Sequence, residues 1–196
     1  AIFADEYLLD FLRKLNVDLS TTGLAALDGK LPEYVMTMVN NLMEKGNIYG
    51  IVNENKTPEF PNADTLFFIG EDTRAKGCAK EAAELLKKAG VEFTILQDEP
   101  NSGYSMDFLI GAAAETKAVM ENCAKVLRNY KTVVCYDPAD AKVMMREYKE
   151  WGVELKAEVV TFTTFVAELI KENKLRVTPK ITDTISECLS FILMLI

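Results

Sequence analysis

Apolar and polar residues along this chain follow two periods, and between Asn62 and Leu96 the two occur in succession. Thr65–Ile69 is a short apolar run closed by Gly70, the pattern of a buried strand. Ala75, Cys78, Ala79, Ala82, Leu85, Leu86 and Ala89 then recur at helical spacing, with Lys76, Lys80, Glu81, Glu84, Lys87 and Lys88 on the other face. Gly90 follows the last periodic residue and suits a left-handed cap. Val91, Phe93 and Ile95 alternate with Glu92 and Thr94, a second strand. A helix between two strands of one sheet makes a right-handed, parallel crossover. Ligands of open parallel sheets bind at the carboxyl ends of the strands, so the loop Gly70–Gly77 is the first place to look for chemistry.

On either side of this unit the pattern changes. Ala4–Leu15 carries Leu8, Leu9, Phe11, Leu12 and Leu15 on one helical stripe, and Leu31–Lys45 carries Val35, Met36, Met38, Val39, Leu42 and Met43. Two helices, joined by a loop around Ser20–Gly23, form a helical lead-in over residues 1–56 that ends in Gly46–Gly50 and the polar arm Asn53–Asn62. Beyond the central unit come a breaker-rich turn, Asp98–Gly103, and a long helix over Met106–Arg128 with Gly111 as its weak point. A strand follows at Lys131–Tyr136. Asp137 and Pro138 suit the cap and first turn of the next helix, which Gly152 ends near Trp151. Val159–Phe162 is a fourth strand, and Thr163 or Thr164 caps a helix through Glu172. The alternation predicts an α/β fold, a Rossmann-like, doubly wound and mostly parallel sheet over residues 57–180. Residues 181–196 form an apolar tail in which Ile185, Leu189, Phe191, Ile192, Leu193, Met194, Leu195 and Ile196 are nearly free of charge. A contiguous apolar surface of that kind needs a cover, so the tail, the lead-in helices or both are expected to form a protein–protein interface, most simply a homodimer.

Composition narrows the function. The net charge of -8 argues against nucleic acid as partner. No signal peptide and no transmembrane segment of about eighteen apolar residues is found, which reads as a soluble, cytoplasmic protein. Histidine is absent, which removes the commonest general base, every Ser-His or Cys-His nucleophile and most zinc sites. Cys78, Cys123, Cys135 and Cys188 lie far apart without a CxxC pair and read as small buried hydrophobes or free thiols. Met36, Met38 and Met43 read as core, and Lys76, Lys80, Lys87 and Lys88 as a solvated face.

The strand-end loops Gly70–Thr73, Asp98–Gly103 and Asp137–Asp140 share one rim if the sheet is parallel. They hold neither GxGxxG nor a P-loop. The rim is acidic instead, with Glu71, Asp72, Asp98, Glu99, Asp137 and Asp140. Converging carboxylates suit Mg²⁺ or Ca²⁺, and a metal-binding enzyme using Glu71, Asp137 and Asp140 is one reading. Caps and first-turn acids of helices are the other, and for Asp137 and Asp140 it is the better one.

The order of these segments resembles one CCG (cysteine-rich) repeat of the family that contains heterodisulfide reductase and the iron–sulfur subunit of glycolate oxidase. The residues that carry the resemblance are FFIG at Phe67–Gly70, LLKKAGVEFTIL at Leu85–Leu96, DEPNSG at Asp98–Gly103, VVCYDPAD at Val133–Asp140 and Tyr148. Upstream, GNIYG at Gly46–Gly50 is similar to the family's lead-in, and downstream so is TFTTFVAELIKENKL at Thr161–Leu175. The cluster cysteines are missing. Glu71 stands at the first of them, Asn101 and Ser102 at the Cys-Cys pair, and Asp137 and Asp140 at the Cys-Pro-x-Cys pair. The separations are 30 residues from Glu71 to Asn101 and 35 from Ser102 to Asp137. A thiolate-held cluster needs about four cysteines, so none is expected in this chain. The resemblance implies a degenerate repeat that has kept the scaffold and lost the cluster. It would be a structural and subunit-docking module of an iron–sulfur oxidoreductase in electron transfer, with the cluster in a redox partner protein or a missing second repeat.

Overall fold

The computed structural model describes residues 31–51, 62–77, 79–111 and 113–176. The helix expected at Ala4–Leu15, most of the arm after Asn53, Cys78, Cys188 and the apolar tail lie outside the described residues.

Three strands form a parallel sheet in the order β1 (Thr65–Phe68), β2 (Thr132–Cys135), β3 (Glu158–Thr161). Leu66 pairs with Val133 and Val133 with Val159, so the registers are continuous across the sheet. The expected strand Val91–Leu96 shrinks to a single parallel bridge between Leu66 and Thr94, on the outer side of β1. Two hydrogen bonds make it, from Phe67 N to Thr94 O and from Thr94 N to Thr65 O, both 2.9 Å. Its neighbours are committed elsewhere. Val91 N donates to Leu86 O, closing the preceding helix, and Leu96 O accepts from Arg74 Nη2. At the carboxyl end the ladder cannot lengthen, because Ile69 N, which would donate to Leu96 O, donates to Glu99 instead.

Eight α-helical segments surround the sheet among the described residues: α1 (Glu33–Lys45), α2 (Glu71–Lys76), α3 (Lys80–Lys88), α4 (Tyr104–Ile110), α5 (Ala114–Leu127), α6 (Pro138–Lys142), α7 (Tyr148–Glu150) and α8 (Phe162–Lys171). A π-helical turn, Val143–Glu147, runs between α6 and α7. Two helices expected as continuous are broken by glycine. The loop Gly70–Gly77 is mostly α2, which ends where Gly77 turns left-handed at φ 70°, and α3 starts afresh at Lys80. Gly111, at φ 67° and ψ -148°, separates α4 from α5, a conformation closed to side-chain-bearing residues. The cap of α8 is Thr161 rather than Thr163 or Thr164. Its Oγ1 accepts from Thr164 N at 3.2 Å, which makes the last residue of β3 also the first of the helix.

Successive strand residues face opposite sides. Leu66, Phe68, Val133 and Cys135 pack with Met120, Cys123 and Leu127 of α5, with Ala141 and Met144, and with Tyr148. Phe67, Ile69 and Val134 pack with Ala82 and Leu86 of α3 and with Leu169 of α8. Both faces are covered, which is why the strands are apolar throughout instead of alternating. A third cluster joins Val35, Val39 and Leu42 of α1 to Met106, Leu109 and Ile110 of α4. The inward face of the lead-in helix is thus filled by this chain's own α4. Among the described residues no helix is long and apolar enough to cross a membrane.

Candidate functional site at the carboxyl rim of the sheet

The chain leaves β1 toward Thr94 on one side, while β2 lies on the other. Connections diverge between β1 and β2, and a crevice opens there at the strand ends. Gly70 ends the β1 side and Asp137 the β2 side. Gly70 takes φ +86°, and a side chain there would overlap Asp140 Oδ2 and approach Asp137 Cβ to 3.3 Å. Glycine lets the two strand ends meet.

Glu99 sits at the centre of the rim, its side chain only 2% exposed. It accepts from Ile69 N and Gly70 N, both at 2.8 Å, and from Arg74 Nε at 2.8 Å. The turn Asp98–Gly103 is thereby fastened to the end of β1 by a carboxylate that closes two backbone donors the ladder leaves open. Arg74, one helical turn beyond Glu71, also donates from Nη2 to Leu96 O at 3.0 Å. This buried pair was not legible in the sequence. The sequence shows Glu99 as one rim acid among six and gives Arg74 no motif of its own. Only its isolation as a cation among rim acids hints at a role.

Around this pair Glu71, Asn101, Ser102 and Asp140 line one small space, and Asp137 stands beside them, close to Gly70. Ser102 donates its hydroxyl to Asp140 Oδ1 in a very short contact, and its Oγ accepts from Tyr104 N at 3.1 Å. Asn101 donates to Gly46 O at 3.1 Å and bonds Glu71 through its side chain. Glu71 Oε2 also accepts from Ile48 N at 3.0 Å. Asp137 Oδ1 accepts from Ala139 N at 2.8 Å, the capping role its position before Pro138 suggests. The GNIYG segment lies over the rim through these contacts and through Tyr49, whose hydroxyl donates to Asp72 at 2.6 Å. Tyr148, delivered by the π-helical turn, reaches from the core to donate to Ser102 O at 2.8 Å.

Burial pushes the Glu71 carboxyl up to about 7, against the bonds from Ile48 and Asn101, with Asp72 and Asp137 adding to the rise. Asp140 is pushed up to about 8, first by burial and then by Asp137, Glu99 and Glu71, while Ser102 opposes the shift. Burial likewise raises the thiols of Cys123 and Cys135, which lie behind the rim in the core as structural cysteines. The space left among Glu71, Arg74, Glu99, Asn101, Ser102 and Asp140 is about 10 Å³. Glu71, Asp137 and Asp140 are the carboxylates of the metal-binding reading. Each serves a donor of its own chain, and no group of three or more His, Cys, Asp or Glu is arranged to hold a metal among the described residues.

The rim defines an α/β protein whose strand-end crevice is filled by its own polar side chains. No protein-family model matches the chain, and no match was found among curated proteins or solved structures.

Proposed function

We propose that this chain is a degenerate CCG-like module of an iron–sulfur oxidoreductase, a structural and subunit-docking element in electron transfer that carries no cluster itself. One observation supports this above others. Of the five positions that the resemblance assigns to cluster cysteines, Glu71, Asn101, Ser102 and Asp140 lie around one small space, with bonds from Ser102 to Asp140 and from Asn101 to Glu71, and Asp137 stands beside them against Gly70. The strand order, with Thr94 outside β1 and helices on both faces, favours a Rossmann-like, doubly wound sheet of the kind the resemblance implies. The acidic-rim enzyme reading has less support, because the guanidinium of Arg74 lies among the same carboxylates.

Restoring the cysteines tests the reading. The wild-type chain is expected to take up no iron and sulfide on anaerobic reconstitution. The variant Glu71→Cys, Asn101→Cys, Ser102→Cys, Asp137→Cys, Asp140→Cys is expected to take up both in stoichiometric amount, with the broad visible absorption of a cluster. A folded variant that stays colourless would overturn the alignment. A wild-type chain that binds iron and sulfide would overturn the loss of the site.

A further inference from the structure

The side chain of Arg74 is 4% exposed, and two of its three nitrogens are satisfied, by Glu99 and Leu96. The third, Nη1, is buried without a hydrogen-bond partner among the described residues. A buried guanidinium N–H without an acceptor is unfavourable, and native structures nearly always supply one. Arg74 lines the rim cavity together with Glu71, Asn101, Ser102 and Asp140. The cavity's size is decisive. At about 10 Å³ it matches the least space that holds one water, and it lies far below the several hundred Å³ of a metabolite pocket.

The lining also fixes the chemistry of the occupant. A cation would face the guanidinium, and an anion would face Glu71, Glu99 and Asp140. A neutral molecule that both accepts and donates suits the mixed lining. We propose that this cavity is a binding site for a single internal water, which accepts from Arg74 Nη1 and donates to the carboxyl groups of Glu71 and Asp140. The water ties α2 to the start of α6 across the crevice and completes the polar network there, whatever the ancestry of the site.

Two measurements on the full chain test it. An atomic-resolution crystal structure is expected to show one water within hydrogen-bond distance of Arg74 Nη1 and of a carboxyl oxygen of Glu71 or Asp140. Oxygen-17 relaxation dispersion is expected to lose one long-lived water in Arg74→Lys, which keeps the charge beside Glu99 but lacks the second terminal nitrogen. An Nη1 bonded to a protein oxygen, clear density with no water, or a metal ion in its place would overturn the proposal. So would an unchanged count of long-lived waters in a folded Arg74→Lys protein. Should that variant fail to fold, the wild-type crystal decides alone. None of these results bears on whether five cysteines restore a cluster.

Discussion

At Gly70 the backbone turns to φ +86° where Asp140 Oδ2 and Asp137 Cβ crowd in, so one position carries both a conformational and a steric demand. We expect Gly70→Ala to lower stability by about 2–4 kcal/mol, the φ strain and the clash adding together. Asp140→Ala removes the closer of the two contacts at Gly70 together with the acceptor of Ser102, and leaves the φ strain in place. The double variant should therefore be more stable than the sum of the single losses by about 1 kcal/mol or more, read from urea unfolding. Strict additivity would mean that Asp140 does not press on Gly70. The rim carboxyls add a dependence on pH. Burial holds Glu71 up at about 7 and Asp140 at about 8, whereas both titrate near 4 in an unfolded chain. Between those values the native state binds more protons than the unfolded state. The stability these two groups contribute is fully present below about pH 4 and is lost as pH rises through about 8. Urea midpoints measured from pH 4 to 8 should fall with pH, and Asp140→Asn should flatten the fall. A stability that rises across this window and is indifferent to Asp140→Asn would show that neither carboxyl is held neutral.

Elements show where sequence patterns suffice and where they do not. The strand cores were legible because both faces of the sheet are covered, leaving unbroken apolar runs at Leu66–Ile69 and Val133–Cys135. Asp137 before Pro138 was legible as a cap for an equally local reason. Helix continuity was not. The apolar stripes on either side of Gly77 and Gly111 run through the breaks in phase, so periodicity sees one helix where left-handed or extended glycines make two. The second strand failed for a non-local reason. Its alternating residues are right for a strand, but Arg74 takes Leu96 O and Glu99 takes Ile69 N, and neither is visible in Val91–Leu96 itself. The same limit hid the centre of the site. That Glu71, Asn101, Ser102 and Asp140 share one end of the sheet follows from the order of strands and loops. The pairing of Glu99 with Arg74 depends on side-chain reach across 25 residues, which no spacing rule encodes.

Across the whole molecule the lead-in is bound to the sheet unit at two places. Val35, Val39 and Leu42 of α1 pack on Met106, Leu109 and Ile110 of α4, and α4 follows directly from the rim turn. The GNIYG segment then reaches the rim itself through Ile48 and Glu71, Gly46 and Asn101, and Tyr49 and Asp72. A lead-in that melted independently would leave the apolar face of α4 bare and three rim acceptors or donors without partners. The two parts should therefore unfold together. Leu42 is 3% exposed, and Leu42→Ala is expected to cost about 2–4 kcal/mol. Trp151, the only tryptophan, packs against the core cluster behind the rim, far along the chain from α1. Its fluorescence and the far-ultraviolet circular dichroism should report one coincident urea transition in the wild type, shifted as a unit by Leu42→Ala. A variant that loses helical signal first, while Trp151 keeps its native emission, would make the lead-in an independent unit, and its contacts with the rim a docking of two parts.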